Sequence, residues 1–327
     1  MCPVFEVMAL KKILFICGTL NQTSMMVEIA RHLGEFDCYF TPFYSDGPTQ
    51  WVTKMGMGRY TVLGRRIRKN TRDYLHQHRC RIDDSAKKQS YDFVITCSDL
   101  IIPKNISHLP IVLVQEGMTD PDSWKTYMVK WLKLPRMLAN TSMSGLSNGY
   151  LKFCVASEGW KQHFISKGCE PDKLVVTGIP NFDDVDRYRN NDFPYKDYVL
   201  VTTSHLRETY KYENRRDFIQ KAVQLTKGRP LIFKLHPNEN RKRAVREIKK
   251  YAPDSLIFTD GNTNHMIANC ELLITRYSSV LLVALALGKE IVSDLDETAL
   301  QAFTPLQNQG KSGERIADVC RSLINGN

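Results

Sequence analysis

The sequence predicts an α/β protein of two domains, each built on a parallel sheet, and three observations carry that expectation. Short β-branched or aromatic runs alternate with longer amphipathic patterns along the chain, the rhythm of strand–helix–strand crossovers. The rhythm breaks at one polar, aromatic stretch, "NFDDVDRYRNNDFPYKD" (181–197), and then restarts. A chain of 327 residues is long enough for two cores of ordinary size. The expected domains are 1–185 and 186–327, with their sheets facing a central cleft and ligands lying beyond the carboxyl ends of the strands.

In chain order, the first half offers strands at 12–17 (KILFIC), 37–41, 92–97 (DFVITC), 110–114 (PIVLV), 151–156 (LKFCVA) and 174–177. The second offers 198–203 (YVLVTT), 231–235 (LIFKL), 255–258, 271–275 (ELLIT) and 290–293. Between them, helical patterns run over 23–34, 59–78, 158–167, 213–227, 240–251, 263–268 and 279–287. Met26, Ile29, Ala30 and Leu33 form the apolar face of the first.

Composition narrows the function classes. With 43% hydrophobic and 24% charged residues the chain is globular, and its net charge of +10 favours anionic partners. The basic stretches "GRRIRKNTR" (64–72) and "NRKRAVREIKK" (240–250) lack interleaved aromatics. They read as solvated helix faces, so no nucleic-acid partner is expected. Nine cysteines occur singly, without C-x-x-C, which fits a reducing, cytoplasmic setting and neither a disulfide framework nor a zinc knuckle. The first residues lack a basic region and a cleavage site, so no signal peptide is expected. The most apolar stretch, 272–288, is interrupted by Arg276 and two serines and reads as core. Asp184 and Asp186 form an Asp-x-Asp, but they lie in the interdomain stretch; no metal and no cofactor are expected.

Five strand-to-helix junctions can carry chemistry. At the first, Gly18 permits a tight turn and Thr19 follows, with Thr23 or Ser24 available to cap a helix. Amides exposed at that start can hold an anion or a sugar hydroxyl; an ordinary βα turn is the competing account. At the second, Glu116 sits between a buried strand and Gly117, where desolvation would raise its pKa toward that of a general base. Asp99, after the strand at 92–97, is a second candidate base. At the third, Ser204, His205, Arg207 and Glu208 crowd a strand end; Arg207 offers a fork suited to phosphate, unless it pairs with Glu208. At the fourth, His236 ends a strand, Pro237 fixes the backbone, and Asn238 can cap the next helix. At the fifth, Arg276, Ser278 and Ser279 open an apolar helix whose free amides make an anion site.

These positions resemble the GT-B glycosyltransferase superfamily, whose fold is two Rossmann-like domains, over nearly the whole chain. "KLHP" (234–237) and "RYSS" (276–279) are similar to motifs of the CDP-glycerol glycerophosphotransferases and bacterial polysialyltransferases. The resemblance implies that His236, Ser278 and Ser279 contact the phosphates of a donor nucleotide. "QEG" (115–117) matches two of the three positions of the polysialyltransferase base motif, which implies Glu116 as base. In layout the chain is also similar to non-hydrolysing UDP-N-acetylglucosamine 2-epimerases, with "VTTSHLRET" standing where they carry His-Arg-Arg-Glu. It departs from them in having "RYSSVLLVA" for Asp-Ser-Gly-Gly with trailing glutamates, and Leu20-Asn21 for Arg-Pro.

The expectation is therefore a metal-independent transferase, taking its donor from a nucleotide-activated sugar or polyol phosphate on the second domain. A glycan or lipid-linked hydroxyl acceptor would meet the first domain, in bacterial-type surface glycan synthesis. The basic stretch at 64–72 suggests peripheral contact with an anionic inner membrane face. The alternative is an epimerase acting on the free nucleotide sugar.

Overall fold

Every expected strand forms within one residue of its expected ends in the computed structural model, which describes residues 10–46, 62–209 and 211–326. Strands β1 (Lys12–Cys17), β2 (Asp37–Pro42), β3 (Phe93–Thr96), β4 (Ile111–Val114), β5 (Lys152–Val155) and β6 (Leu174–Val176) make one parallel sheet in the order β2-β1-β3-β4-β5-β6. Strands β7 (Tyr198–Thr202), β8 (Leu231–Lys234), β9 (Leu256–Phe258), β10 (Cys270–Ile274) and β11 (Glu290–Val292) make a second, in the order β11-β10-β7-β8-β9. Both orders reverse direction once, between β1 and β3 and between β7 and β10. In parallel α/β sheets such a reversal opens a crevice at the carboxyl ends of the two strands.

The helices are α1 (Leu20–Arg31), α2 (Arg65–Gln77), α3 (Trp124–Trp131), α4 (Glu158–Lys167), α5 (Arg215–Leu225), α6 (Arg241–Tyr251), α7 (Thr263–Asn269), α8 (Val280–Ala286), α9 (Glu297–Ala302) and α10 (Ser312–Asn325). Expected helix 59–78 corresponds to α2; residues 59–61 lie outside the described residues. The first helix begins three residues earlier than expected because Thr19, and neither Thr23 nor Ser24, is its cap. Likewise Asn240, and not Asn238, caps α6, accepting from the Arg243 amide.

Residues group into two compact units, Met1–Asp183 with Asn308–Asn327, and Asp184–Gln307. The chain passes from the first unit to the second at Asp183/Asp184, and the final helix, expected within 186–327, groups with the first unit. There α10 packs on α1, Arg321 donates to the His32 carbonyl at 2.8 Å, and the Ser312 amide donates to buried Asp183 at 2.7 Å. In the second unit Val199, Val201 and Phe233 of the sheet pack against Phe218 and Ile219 of α5 and Ile248 of α6. Truncating Phe233, fully buried, to alanine would cost about 3–5 kcal/mol.

Candidate functional site

In the first unit the carboxyl ends of β1 and β4 converge on Glu116. Thr19 caps α1 by accepting from the Gln22 amide at 3.3 Å, while the Gln22 side-chain oxygen accepts from the Thr19 amide at 3.1 Å. This is a reciprocal capping box, T-x-x-Q, readable from the sequence and not used there. The remaining donors of both side chains go to one carboxylate. Thr19 Oγ1 donates to Glu116 Oε1 at 2.8 Å and Gln22 Nε2 to Glu116 Oε2 at 2.5 Å.

Gly18 makes that clamp possible, since a Cβ there would lie 1.7 Å from the Gln22 side-chain oxygen. Gly117 lends its carbonyl to Gln115 Nε2 at 2.9 Å, and Gln115 Oε1 accepts from the Ala156 amide at 2.9 Å, which ties the loop after β4 to the end of β5. Burial raises the pKa of Glu116, and the Gln22 and Thr19 hydrogen bonds only partly offset that. The same burial, together with the Glu116 charge, keeps neighbouring Cys97 a thiol. Among the described residues no cation pairs with Glu116. It is a desolvated carboxylate held by neutral donors, the environment that suits a general base.

Asp99 does not join it. Its carboxylate is buried and accepts from Arg136 Nη1 at 2.8 Å, the Gly145 amide at 2.8 Å and the Ser147 amide at 2.9 Å. With its lone pairs committed to an ion pair and two backbone donors, Asp99 ties down the β4–β5 connection and is not gathered with Glu116, where it was expected as a second base.

In the second unit the ends of β7, β8 and β10 are joined by short side chains. Thr202 Oγ1 donates to Thr275 Oγ1 at 2.6 Å across the β7–β10 reversal. Thr203 Oγ1 accepts from the His236 amide at 3.0 Å and donates to Glu239 at 2.5 Å. His236 Nδ1 accepts from the Asn238 amide at 3.1 Å, so in the neutral ring the proton sits on Nε2, a donor suited to a phosphate oxygen. Its ring stacks on His205 with centroids 4.1 Å apart. Burial first, then the neighbouring His205 and Lys234, pull its pKa down to about 4. The imidazole is neutral at pH 7. Pro237 follows it directly, in the turn that leads to α6.

Arg207, expected as a phosphate clamp or as a partner of Glu208, has a different partner. Its guanidinium forks onto Glu247 of α6, both bonds at 2.8 Å, and so is not available as the expected phosphate clamp. Glu208 pairs with Arg243 at 2.5 Å, not with Arg207. Buried Arg215 bridges Glu213 at 2.8 Å and Glu239 at 2.6 Å, and Ser204 Oγ donates to Glu213 at 3.1 Å. These arginines and glutamates form one structural network beneath the β7 and β8 ends; Glu213, Arg215, Glu239 and Glu247 had no local signal.

Arg276 pairs with Asp294 at 2.8 Å on the surface, an exposed pair of little strength. Ser279 is the N-cap of α8 but makes no side-chain bond to it, and the Ser278 carbonyl accepts from the Leu281 amide at 3.0 Å. N-capping therefore does not explain the Ser279 hydroxyl. Among the described residues no three His, Cys, Asp or Glu side chains gather as a metal set. Asp186 pairs with Arg189 at 2.7 Å. No helix among them is long and apolar enough to cross a membrane.

No protein-family model matches the chain, and a search of curated proteins finds no match. Solved structures do match in fold. One described as a UDP-N-acetylglucosamine 2-epimerase from Listeria monocytogenes is 12% identical with a TM-score of 0.61, covering 98% of both chains. The UDP-GlcNAc 2-epimerase of Neisseria meningitidis, bound to UDP-GlcNAc, is 13% identical with a TM-score of 0.57, covering 95% of this chain and all of its own. A variant of the wall teichoic acid polymerase TagF soaked with CDPG is 8% identical with a TM-score of 0.53, covering 97% of this chain and 89% of its own. The fold is thus the α/β, GT-B-type pair of Rossmann-like units that the sequence predicts.

Proposed function

We propose that the protein is a metal-independent glycosyltransferase, or polyol-phosphate transferase, that moves a group from a nucleotide-activated donor to a hydroxyl acceptor in surface glycan synthesis. The observation that carries this reading is Glu116, a desolvated carboxylate that, among the described residues, is bonded to the neutral side chains of Thr19 and Gln22 beside the β1–β3 reversal. Glu116 takes the proton of the acceptor hydroxyl as its oxygen forms the new bond to the donor. The bond from the donor group to the leaving nucleotide breaks, and its negative charge is met by preorganised donors. Those donors are the Nε2–H of neutral His236 and the hydroxyls and amides of Ser278 and Ser279. Arg276 can join them at small cost, because its partner Asp294 is exposed.

The fold neighbours with UDP-GlcNAc or CDPG in their descriptions support a nucleotide-linked donor. A glycan or lipid-linked acceptor, a cytoplasmic location and peripheral contact with the inner membrane face complete the reading; no resident cofactor is invoked. The second reading, a nucleotide-sugar 2-epimerase, has the Listeria and Neisseria neighbours in its favour. Against it, epimerisation needs acid and base groups on both faces of the sugar, and Glu208, Glu213, Glu239 and Glu247 each carry an arginine partner. Thermal-shift screening against nucleotide sugars and CDP-polyols, with chelator present, identifies the donor. Incubating that donor with and without hydroxyl acceptors then decides: a product that requires acceptor supports the transferase, and an epimerised nucleotide sugar formed without one refutes it.

A further inference from the structure

Helix α3 wears its apolar stripe on the outside. Trp124, Tyr127, Met128, Trp131 and Leu132 follow the i, i+3, i+4, i+7, i+8 spacing that normally faces a core. Here they are exposed, Trp124 by 68% and Trp131 by 82%, while Thr126 and Val129 face inward. Of thirteen exposed large apolar side chains among the described residues, six lie between 124 and 138, the sixth being Leu138. Scattered exposed apolar residues need no explanation, whereas a contiguous set marks an interaction surface.

The helix is not loosely attached. Its inner face packs Val129 against Ala139 and Met143, and Thr126 Oγ1 bonds Ser142 Oγ at 3.0 Å. Arg136, in the 3-10 turn Arg136–Met143 that follows, is locked to buried Asp99. The outward stripe is therefore held in place.

We infer that α3 is a membrane-docking surface that lies in the headgroup region of an anionic bilayer. At 100° per residue the apolar side chains cover an arc of about 140°, with Lys125 and Lys130 at its two margins. No acidic residue occurs between 123 and 140, and Lys133 adds a third ammonium. Tryptophan and tyrosine flanked by lysines fit the boundary between acyl chains and anionic headgroups, where the rings are half-wet and the ammonium groups reach phosphate. A protein partner would need acidic groups matched to each lysine; a bilayer supplies them in any register. Helix α3 starts eight residues after Glu116, so docking would hold the candidate base within about 28 Å of the docked helix. The inference deepens the proposed peripheral contact and rests on that part of the reading, but moves it from the basic helix α2 to α3.

The test is flotation of the full chain with vesicles of equal parts phosphatidylcholine and phosphatidylglycerol, and with phosphatidylcholine alone. Wild type is expected to float with the anionic vesicles and its tryptophan emission to shift to the blue. In Trp124→Ala/Trp131→Ala, binding should fall on the order of tenfold or more, while thermal stability and the nucleotide thermal shift stay unchanged. Those last two readouts separate failure of this inference from failure of the proposed donor site. Wild type that ignores anionic vesicles overturns it, as does a double variant that floats equally well. Binding abolished by Arg65→Gln/Arg68→Gln/Lys69→Gln and untouched by the tryptophan changes would assign the contact to α2 instead. A concentration-dependent dimer that the tryptophan variant dissolves, with no vesicle binding, would assign the surface to a second copy.

Discussion

Replacing Glu116 with glutamine isolates the chemistry from the architecture. The carboxylate accepts from Thr19 Oγ1 and from Gln22 Nε2. An amide of the same shape keeps both contacts, its oxygen taking Gln22 and its NH2 facing the Thr19 hydroxyl, which rotates from donor to acceptor. Only basicity is lost. Removing a general base costs about 10²–10⁴-fold in turnover, or about 2.7–5.5 kcal/mol of transition-state stabilisation. Donor affinity should not change, so the loss falls on kcat. Stability provides a second readout. Burial raises the folded pKa of Glu116 above 4.5, so the folded state binds this proton more tightly than the unfolded chain. Stability is then lost as pH rises through the raised value, and at pH 7 the buried carboxylate is a net cost. Glu116→Gln should therefore raise Tm while lowering turnover, and should flatten the acidic limb of the pH–rate profile. The assays are acceptor-dependent transfer against pH, donor titration calorimetry and thermal melting. Transfer within a few-fold of wild type would refute the base assignment, and a fall in Tm would refute the electrostatic account of the clamp.

Three further substitutions test the rest of the site. Gly18→Ala places a Cβ against the Gln22 amide, so it should cost about 1–3 kcal/mol in a denaturant melt. It should also move the base limb of the pH profile upward, because a donor that favours the charged carboxylate is lost; an unmoved limb contradicts the clamp. His236→Ala should weaken nucleotide binding by about 1.5–3 kcal/mol in calorimetry. Because the folded His236 pKa is near 4 against 6.5 unfolded, the unfolded chain binds more protons between those values. Wild-type stability should thus fall as pH drops from 6.5 toward 4, with a smaller fall in the variant. Asp99→Asn should cost about 3 kcal/mol of stability by stranding Arg136, with the folded protein binding donor normally. Lost turnover at full stability would instead restore Asp99 as a base.

Strand positions were legible because parallel strands buried on both faces read as short β-branched runs with breakers between them. Helices α3, α9 and α10 were missed for different reasons. The α3 stripe points outward, so its pattern has no matching core to support it. Helix α10 does bury a regular face, Ile316, Ala317, Cys320 and Ile324; periodicity could have found the helix but not the unit it joins. That depends on α1, about three hundred residues earlier, and no local window contains both.

The contrast between Glu116 and Arg207 gives the physical limit of reading a site from sequence. Both follow a strand end, and both carry a charge that looks free in a local window. Arg207 meets Glu247 forty residues later, which takes both terminal nitrogens of its fork. Among the described residues Glu116 meets the capping residues of a helix that starts about a hundred residues before it, and these are neutral. What separates a structural charge from a reactive one is whether the fold supplies a counter-charge. By that criterion three of the second unit's arginines are not spare, since Arg207, Arg215 and Arg243 are all committed to glutamates. A leaving phosphate there would be stabilised mainly by neutral donors, the His236 ring and the amides before α8. Such donors act through fixed orientation rather than net charge. Donor binding should accordingly respond weakly to ionic strength, whereas docking through the lysines of α3 should respond strongly, and one salt titration of each separates the two halves of the mechanism.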